Sequence, residues 1–167
     1  MTIDTLTQLS ITLSNTRLAP SDQLKQICLS VEGMITGADR VSLWKFTHDK
    51  SAIECIALFD QGTFSLPENL VLTRDAFPEY FAAILQSDFV RASDARHHPD
   101  TRCFNTGYFD KLDIYSLLDY VFHHEFAPFG IICCESVGRQ VEWMDNDLDC
   151  LKRTARIVSV FSYMDKL

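Results

Sequence analysis

The chain has 167 residues, 47% of them hydrophobic, with 15 Lys and Arg against 23 Asp and Glu and a formal charge of −8. This is apolar material for one core and length for one domain; an acidic chain lacks the clustered cations that neutralise phosphate, which excludes nucleic acid and anionic membranes as partners. MTIDTLTQLS carries no secretory pattern and no apolar run approaches the roughly 20 residues of a spanning helix, so the expectation is no membrane insertion and a cytoplasmic location.

Leu6, Leu9 and Leu13 at helical spacing predict a first helix over 4–17. Pro20 breaks it, and Ser21-Asp22 supplies an N-cap for a second helix. That helix carries Leu24, Ile27, Cys28, Val31, Met34 and Ile35 on one face and ends at Gly37. The run 40–47 and the run Ile53–Phe59 predict a hairpin through the polar turn His48-Asp49-Lys50-Ser51. Leu70–Leu72 reads as a short third strand, and Phe77-Pro78 opens a helix with Tyr80, Phe81, Ile84 and Leu85 on one face. Phe89–Ala92 is a short extended piece, SDARHHPDT (93–101) a loop, and Phe104, Tyr108 and Leu112 at i, i+4, i+8 suggest a short helix that Gly107 weakens.

Ile114–Ser136 holds two long apolar runs around His123-His124-Glu125 and Ala127-Pro128, an antiparallel hairpin whose unbroken apolarity predicts burial on both faces and a three-layer domain. The last helix, from about Asp145 to Met164, has one stripe of Leu148, Leu151, Ala155 and Val158 and a second of Cys150, Ile157, Phe161 and Met164. One stripe covers a sheet; the second predicts a homodimer through the N- and C-terminal helices.

The element order resembles that of a GAF domain, and a string of short motifs in register carries the resemblance. These are Ala38-Asp39-Arg40-Val41-Ser42-Leu43-Trp44, Ser93-Asp94-Ala95-Arg96 with Pro99 and Thr101, and Tyr108 with Leu112. They continue with Ile114-Tyr115-Ser116-Leu117-Leu118-Asp119, Phe129-Gly130-Ile131-Ile132-Cys133-Cys134-Glu135, and Gly138 with Trp143 and Asp147. The string spans about residues 22–164 and is similar to the sensor modules of bacterial histidine kinases and diguanylate cyclases. The resemblance implies an α+β fold with a central antiparallel sheet of five or six strands and helices on both faces. It also implies a small-molecule pocket between the sheet and residues 77–112. Residues 1–20 are then an N-terminal dimerisation helix and 21–167 the GAF domain with its C-terminal signalling helix. Where many relatives end the first core strand with a small residue, Pro and an aliphatic residue, this chain has Tyr120-Val121-Phe122; where they have His after the Cys-Glu pair it has Ser136.

Six cysteines, mostly within apolar runs, read as reduced buried thiols. Adjacent His97-His98, His123-His124 and Cys133-Cys134 would point to opposite faces of a strand and lack metal-ligand spacing, so no metal site is expected. Cys103 is followed by Phe104 and lies too early for a bilin thioether, and without a resolving partner it is a weak candidate for reducing methionine sulfoxide. Ser116 and Asp119 lack the elbow glycines of a hydrolase. The expected ligand-binding set is therefore Phe77, Phe81, Asp94, His98, Phe104, Tyr108, Ser116, Asp119 and Tyr120, apolar residues with a few polar groups. The expected function is non-catalytic sensing of an unknown small molecule, with cofactor unknown, and with a fused or separate output domain. A structural dimerisation module with a filled pocket is the alternative, and a sulfoxide reductase the third reading.

Overall fold

The computed structural model describes residues 3–161. Four long strands form the centre of one antiparallel sheet: β1 (Arg40–Phe46), β2 (Ala52–Asp60), β6 (Ile114–His124) and β7 (Ala127–Val137). The short β3 (Thr63–Ser65), β4 (Val71–Thr73) and β5 (Phe89–Ala92) border them. The order is β3-β2-β1-β7-β6-β5, with β4 also pairing β2, so the β6–β7 hairpin lies between β1 and β5. Seven strands exceed the expected five or six, because two three-residue pieces pair with opposite ends of β2.

Strand alternation divides the core in two. Val41, Leu43, Leu118, Phe122, Ile132 and Cys134 pack against α1 (Thr5–Leu13), α2 (Pro20–Met34) and α5 (Asp145–Phe161). Trp44, Phe46, Leu117, Val121, Ile131 and Cys133 face α3 (Pro78–Ser87) and the segment 93–112. Burial on both faces is why these strands are apolar at successive positions. A bulge at Ile56, where Leu43 pairs Ala57 but Trp44 pairs Cys55, switches the parity of β2. Ala57 and Phe59 thereby face the helices, while Ile53 and Cys55 face the other layer.

Two close contacts pin these layers. Gly130 lets β7 run against β1: a Cβ there would stand 2.2 Å from Phe122 Cζ and 2.3 Å from the Trp44 carbonyl oxygen. Trp143, fully buried, seats the start of α5, and its carbonyl accepts from Arg91 Nε at 3.1 Å, while Arg91 Nη1 bonds Asp145 at 2.7 Å.

Several boundaries differ from expectation. α1 stops at Leu13, where the Ser14 hydroxyl turns back to the Ile11 carbonyl and Asn15 takes the Arg17 amide. α2 starts at Pro20 itself, capped by Ala19, since proline fits the first helical turn; it ends at Met34, and Gly37 instead serves the following turn at φ +96°. The expected helix over 103–112 is a 3₁₀ turn (Arg102–Phe104), a wide turn broken at Thr106 and Gly107 (φ 90°), and the single turn α4 (Asp110–Leu112). Met164, assigned to the second stripe of the last helix, lies outside the described residues.

Candidate functional site

The expected pocket region, between the sheet and residues 77–112, is a closed aromatic chamber. Its floor is Trp44 of β1, Ile53 of β2, Leu117 and Asp119 of β6, and Cys133 and Glu135 of β7. Leu72 of β4, Tyr80 of α3, Phe104 and Tyr108 close it from above. Phe104 is the hub of the cap, with ring centroids 4.4 Å from Phe77, 5.0 Å from Tyr80 and 5.7 Å from Tyr108. These rings fill the chamber so well that about 10 Å³ of free space remains, about the room of one water.

Two carboxyls lie on this floor. In the hairpin register Asp119 pairs Cys133 and Leu117 pairs Glu135, so the acids are diagonal neighbours on one face. Both are essentially without solvent exposure, 2% and 0%. Asp119 Oδ2 accepts from the Tyr80 hydroxyl, while Oδ1 makes no hydrogen bond of ordinary geometry, although the Cys133 thiol and the Cys134 amide lie beside the carboxyl. Glu135 Oε1 accepts from Arg40 Nε at 3.3 Å, while Oε2 makes no hydrogen bond of ordinary geometry, although the Tyr108 hydroxyl lies beside the carboxyl. Arg40 sits directly across from both Glu135 and Asp60 in the neighbouring strands, and its Nη1 reaches Asp60 at 2.7 Å.

Burial dominates the electrostatics of these groups. It pushes the Asp119 carboxyl up to about 8, helped by the nearby Glu135 and opposed in part by the Cys133 and Tyr80 donors. Glu135 is also raised by burial, with the Arg40 charge pulling the other way. Burial disfavours the Arg40 charge, yet Glu135, Tyr108 and Asp60 hold it protonated more firmly than usual. The Cys133 and Tyr80 protons are likewise held well above their ordinary range by burial and by Asp119.

Of the nine expected site residues, Phe104, Tyr108 and Asp119 line the chamber. Phe77 and Phe81 support it from behind, Phe77 against Phe104 and the fully buried Phe81 edge-on to Tyr80 at 6.0 Å. Asp94 and His98 lie outside the chamber, in a surface turn where Asp94 bonds His97 at 2.9 Å and the His98 ring accepts the Asp100 amide. Ser116 and Tyr120 lie outside the chamber as well, because beyond the irregularity at Tyr115 the even positions of β6 face the helices. The Ser116 hydroxyl donates to the Ser93 carbonyl at 2.6 Å and accepts the Val141 amide, and Tyr120 stacks on Phe89. Tyr80, Arg40 and Glu135 are the polar residues of the site that the expected set omits. All six cysteines are free, and among the described residues no group of three His, Cys, Asp or Glu side chains converges on a point.

Compared by sequence, the chain matches no family model and no characterised protein. Compared by structure, it superposes on the GAF domain of an Acinetobacter phosphoenolpyruvate-protein phosphotransferase with TM-score 0.73 at 13% identity, covering 93% of this chain and 89% of that one. The chain has the GAF fold. A second GAF neighbour, from a two-component sensor histidine kinase of Bacillus halodurans, gives TM-score 0.67 at 16% identity over 89% of this chain and 96% of the other. The free methionine-R-sulfoxide reductase of Neisseria meningitidis, solved with its substrate, also shares the GAF fold, with TM-score 0.68, 13% identity, and coverage of 93% and 84%. Of these three neighbours, one is a domain of a sensor histidine kinase and one is an enzyme. No helix among the described residues is long and apolar enough to cross a membrane.

Proposed function

We propose that this chain is a cytoplasmic, non-catalytic GAF domain of a bacterial signal-transduction protein. It senses a small molecule in the chamber over β6 and β7 and passes ligand state to a two-component or cyclic-di-GMP output, fused or separate, through a homodimer of its terminal helices. One observation carries the reading: two fully buried carboxyls, each with an unpartnered oxygen, lie on the floor of a chamber lined otherwise by rings, aliphatic groups and the Cys133 thiol. An orphaned buried polar atom costs about 1–3 kcal/mol; Asn105 Oδ1 and Trp143 Nε1 are orphaned too, but among the described residues two such atoms share one chamber floor at Asp119 and Glu135. A binding site spends that stability on recognition.

The route to the output follows the hairpin. Asp119 is four residues from His123, whose amide donates to Ser159 of α5 at 2.9 Å, so a ligand that moves β6 acts on the C-terminal helix. It does so only if it binds two packings with different affinity. Thiol chemistry is disfavoured because burial raises every cysteine for which a shift is resolved, including the half-buried Cys103, and a thiol held protonated is a poor nucleophile. Native mass spectrometry of the purified chain, followed by thermal shift against nucleotides, amino acids and tetrapyrroles, tests sensing. A co-purified or stabilising compound supports it; none, with unchanged melting throughout, overturns it.

A second reading, a structural dimerisation module with a filled pocket, is favoured by the roughly 10 Å³ of free space. It predicts that no ligand stabilises the chain and that Asp119→Leu does.

A further inference from the structure

Resting on the sensing reading, we propose that the chamber takes a protonated primary amine, its ammonium group held between Asp119 Oδ1 and Glu135 Oε2 and its apolar body taking up the place of the Phe104 cap.

Four observations converge. Glu135 Oε2 is an unpartnered acceptor and Asp119 Oδ1 becomes one once its carboxyl ionises, so the partner the two can share is a cationic donor, and an ammonium brings three donors and no acceptor. The groups facing the two acids are Arg40 from β1, Cys133 from β7, Tyr80 from α3 and Tyr108 from the cap, so two acids meet one cation. Arg40 itself also serves Asp60, leaving Asp119 with no charged partner. A buried carboxylate without a cation stays protonated, which is the condition of Asp119 in the closed chamber. Finally, the free space matches a single head group of water size, so the ammonium fits where it stands, whereas any carbon body must displace the aromatic cap. Walls of Trp44, Ile53, Leu72 and Leu117 suit such a body, and their one donor, the Trp44 indole N–H, is taken by the Ser42 hydroxyl at 2.8 Å, leaving no cation for an anion. Binding a cation ionises Asp119, so one proton leaves the site to solvent as the amine enters.

The test uses the full chain with benzylammonium and propylammonium against their neutral counterparts, benzyl alcohol and propanol, read by tryptophan fluorescence and thermal shift. The amines should bind at least tenfold more tightly than the alcohols. Asp119→Asn should lose that preference by tenfold or more, and Glu135→Gln should lose part of it. Affinity should rise about tenfold per pH unit between pH 6 and the region of 8 where Asp119 ionises by itself, then level off. If Asp119→Asn does not fold, the pH profile of the wild-type chain and Glu135→Gln decide alone. Equal binding of amine and alcohol, or a flat pH profile, overturns the amine assignment while leaving a ligand chamber. Absence of any amine binding at millimolar concentration also overturns it, and sensing is then judged by co-purification and the broader panel.

Discussion

At the scale of single residues, Asp119 concentrates the cost of the site. In the native chain burial lifts its carboxyl from 3.8 to about 8, so between those limits the folded state binds a proton that the unfolded state releases. Its contribution to stability is complete below about pH 4 and is lost as pH rises, at about 1.4 kcal/mol per pH unit until about pH 8. Chemical denaturation from pH 5 to 9 should show this decline, and Asp119→Asn should flatten it; an unchanged slope in the variant would mean that another group is responsible. Gly130 is a steric counterpart. Because a Cβ would meet both the Trp44 carbonyl and the Phe122 ring, Gly130→Ala should destabilise the chain by about 3 kcal/mol or more, as overpacking against backbone cannot relax by rotamer change. A midpoint shift below about 1 kcal/mol in urea would show that β7 can move away from β1.

At the scale of elements, the β6–β7 hairpin was legible because eleven-residue strands covered on both faces need unbroken apolar runs, and few other structures do. The helices over the other face were equally legible from their stripes. The site was less so. Alternation along β6 puts Asp119 on one face and Ser116 and Tyr120 on the other, and the same spacing of two along Ile131, Cys133 and Glu135 marks Glu135 as a floor residue. That signal lies in the sequence and identifies an isolated acid inside an apolar strand. By contrast, the break at Gly107 that swings Phe104 and Tyr108 over the sheet is a tertiary outcome, because their spacing of four fits a continuous helix equally well. Asp94 and His98 offered polar side chains near the cap, but local turn bonds consume them. At the ends, Ile3 just before α1, Ile11 on α1, and Val160 and Phe161 on α5 stay exposed, and α1 packs against α5. If these form the homodimer proposed above, Val160→Glu together with Ile11→Glu should convert dimer to monomer in sedimentation velocity without changing the melting of the isolated domain by more than a few degrees. A wild-type chain that sediments as a monomer at high concentration would contradict the dimer.

At the scale of the molecule, one sheet separates a densely packed helical layer from a thinner layer built of α3 and an irregular cap. The α5 layer is tied to the sheet edge by Arg91, which holds Trp143 and Asp145; Arg91→Ala should loosen the start of α5 and cost about 1–2 kcal/mol, visible in urea denaturation, whereas no change would mean that Trp143 packing alone suffices. The cap is held over the floor by ring contacts, by the Tyr80–Asp119 bond, and at its edge by Arg96, which donates to the Phe109 and Ile114 carbonyls while its own carbonyl takes the Asn105 side-chain amide. Sensing requires that this cap open while the helical layer and sheet stay folded. Native-state hydrogen exchange measures that directly. Amides of residues 102–112 should exchange through a local opening well below the global unfolding free energy, while those of β6 and β7 should exchange only on global unfolding. Protection of the cap equal to that of β6 and β7, with the same denaturant dependence, would contradict that opening and leave a filled core in place of a chamber.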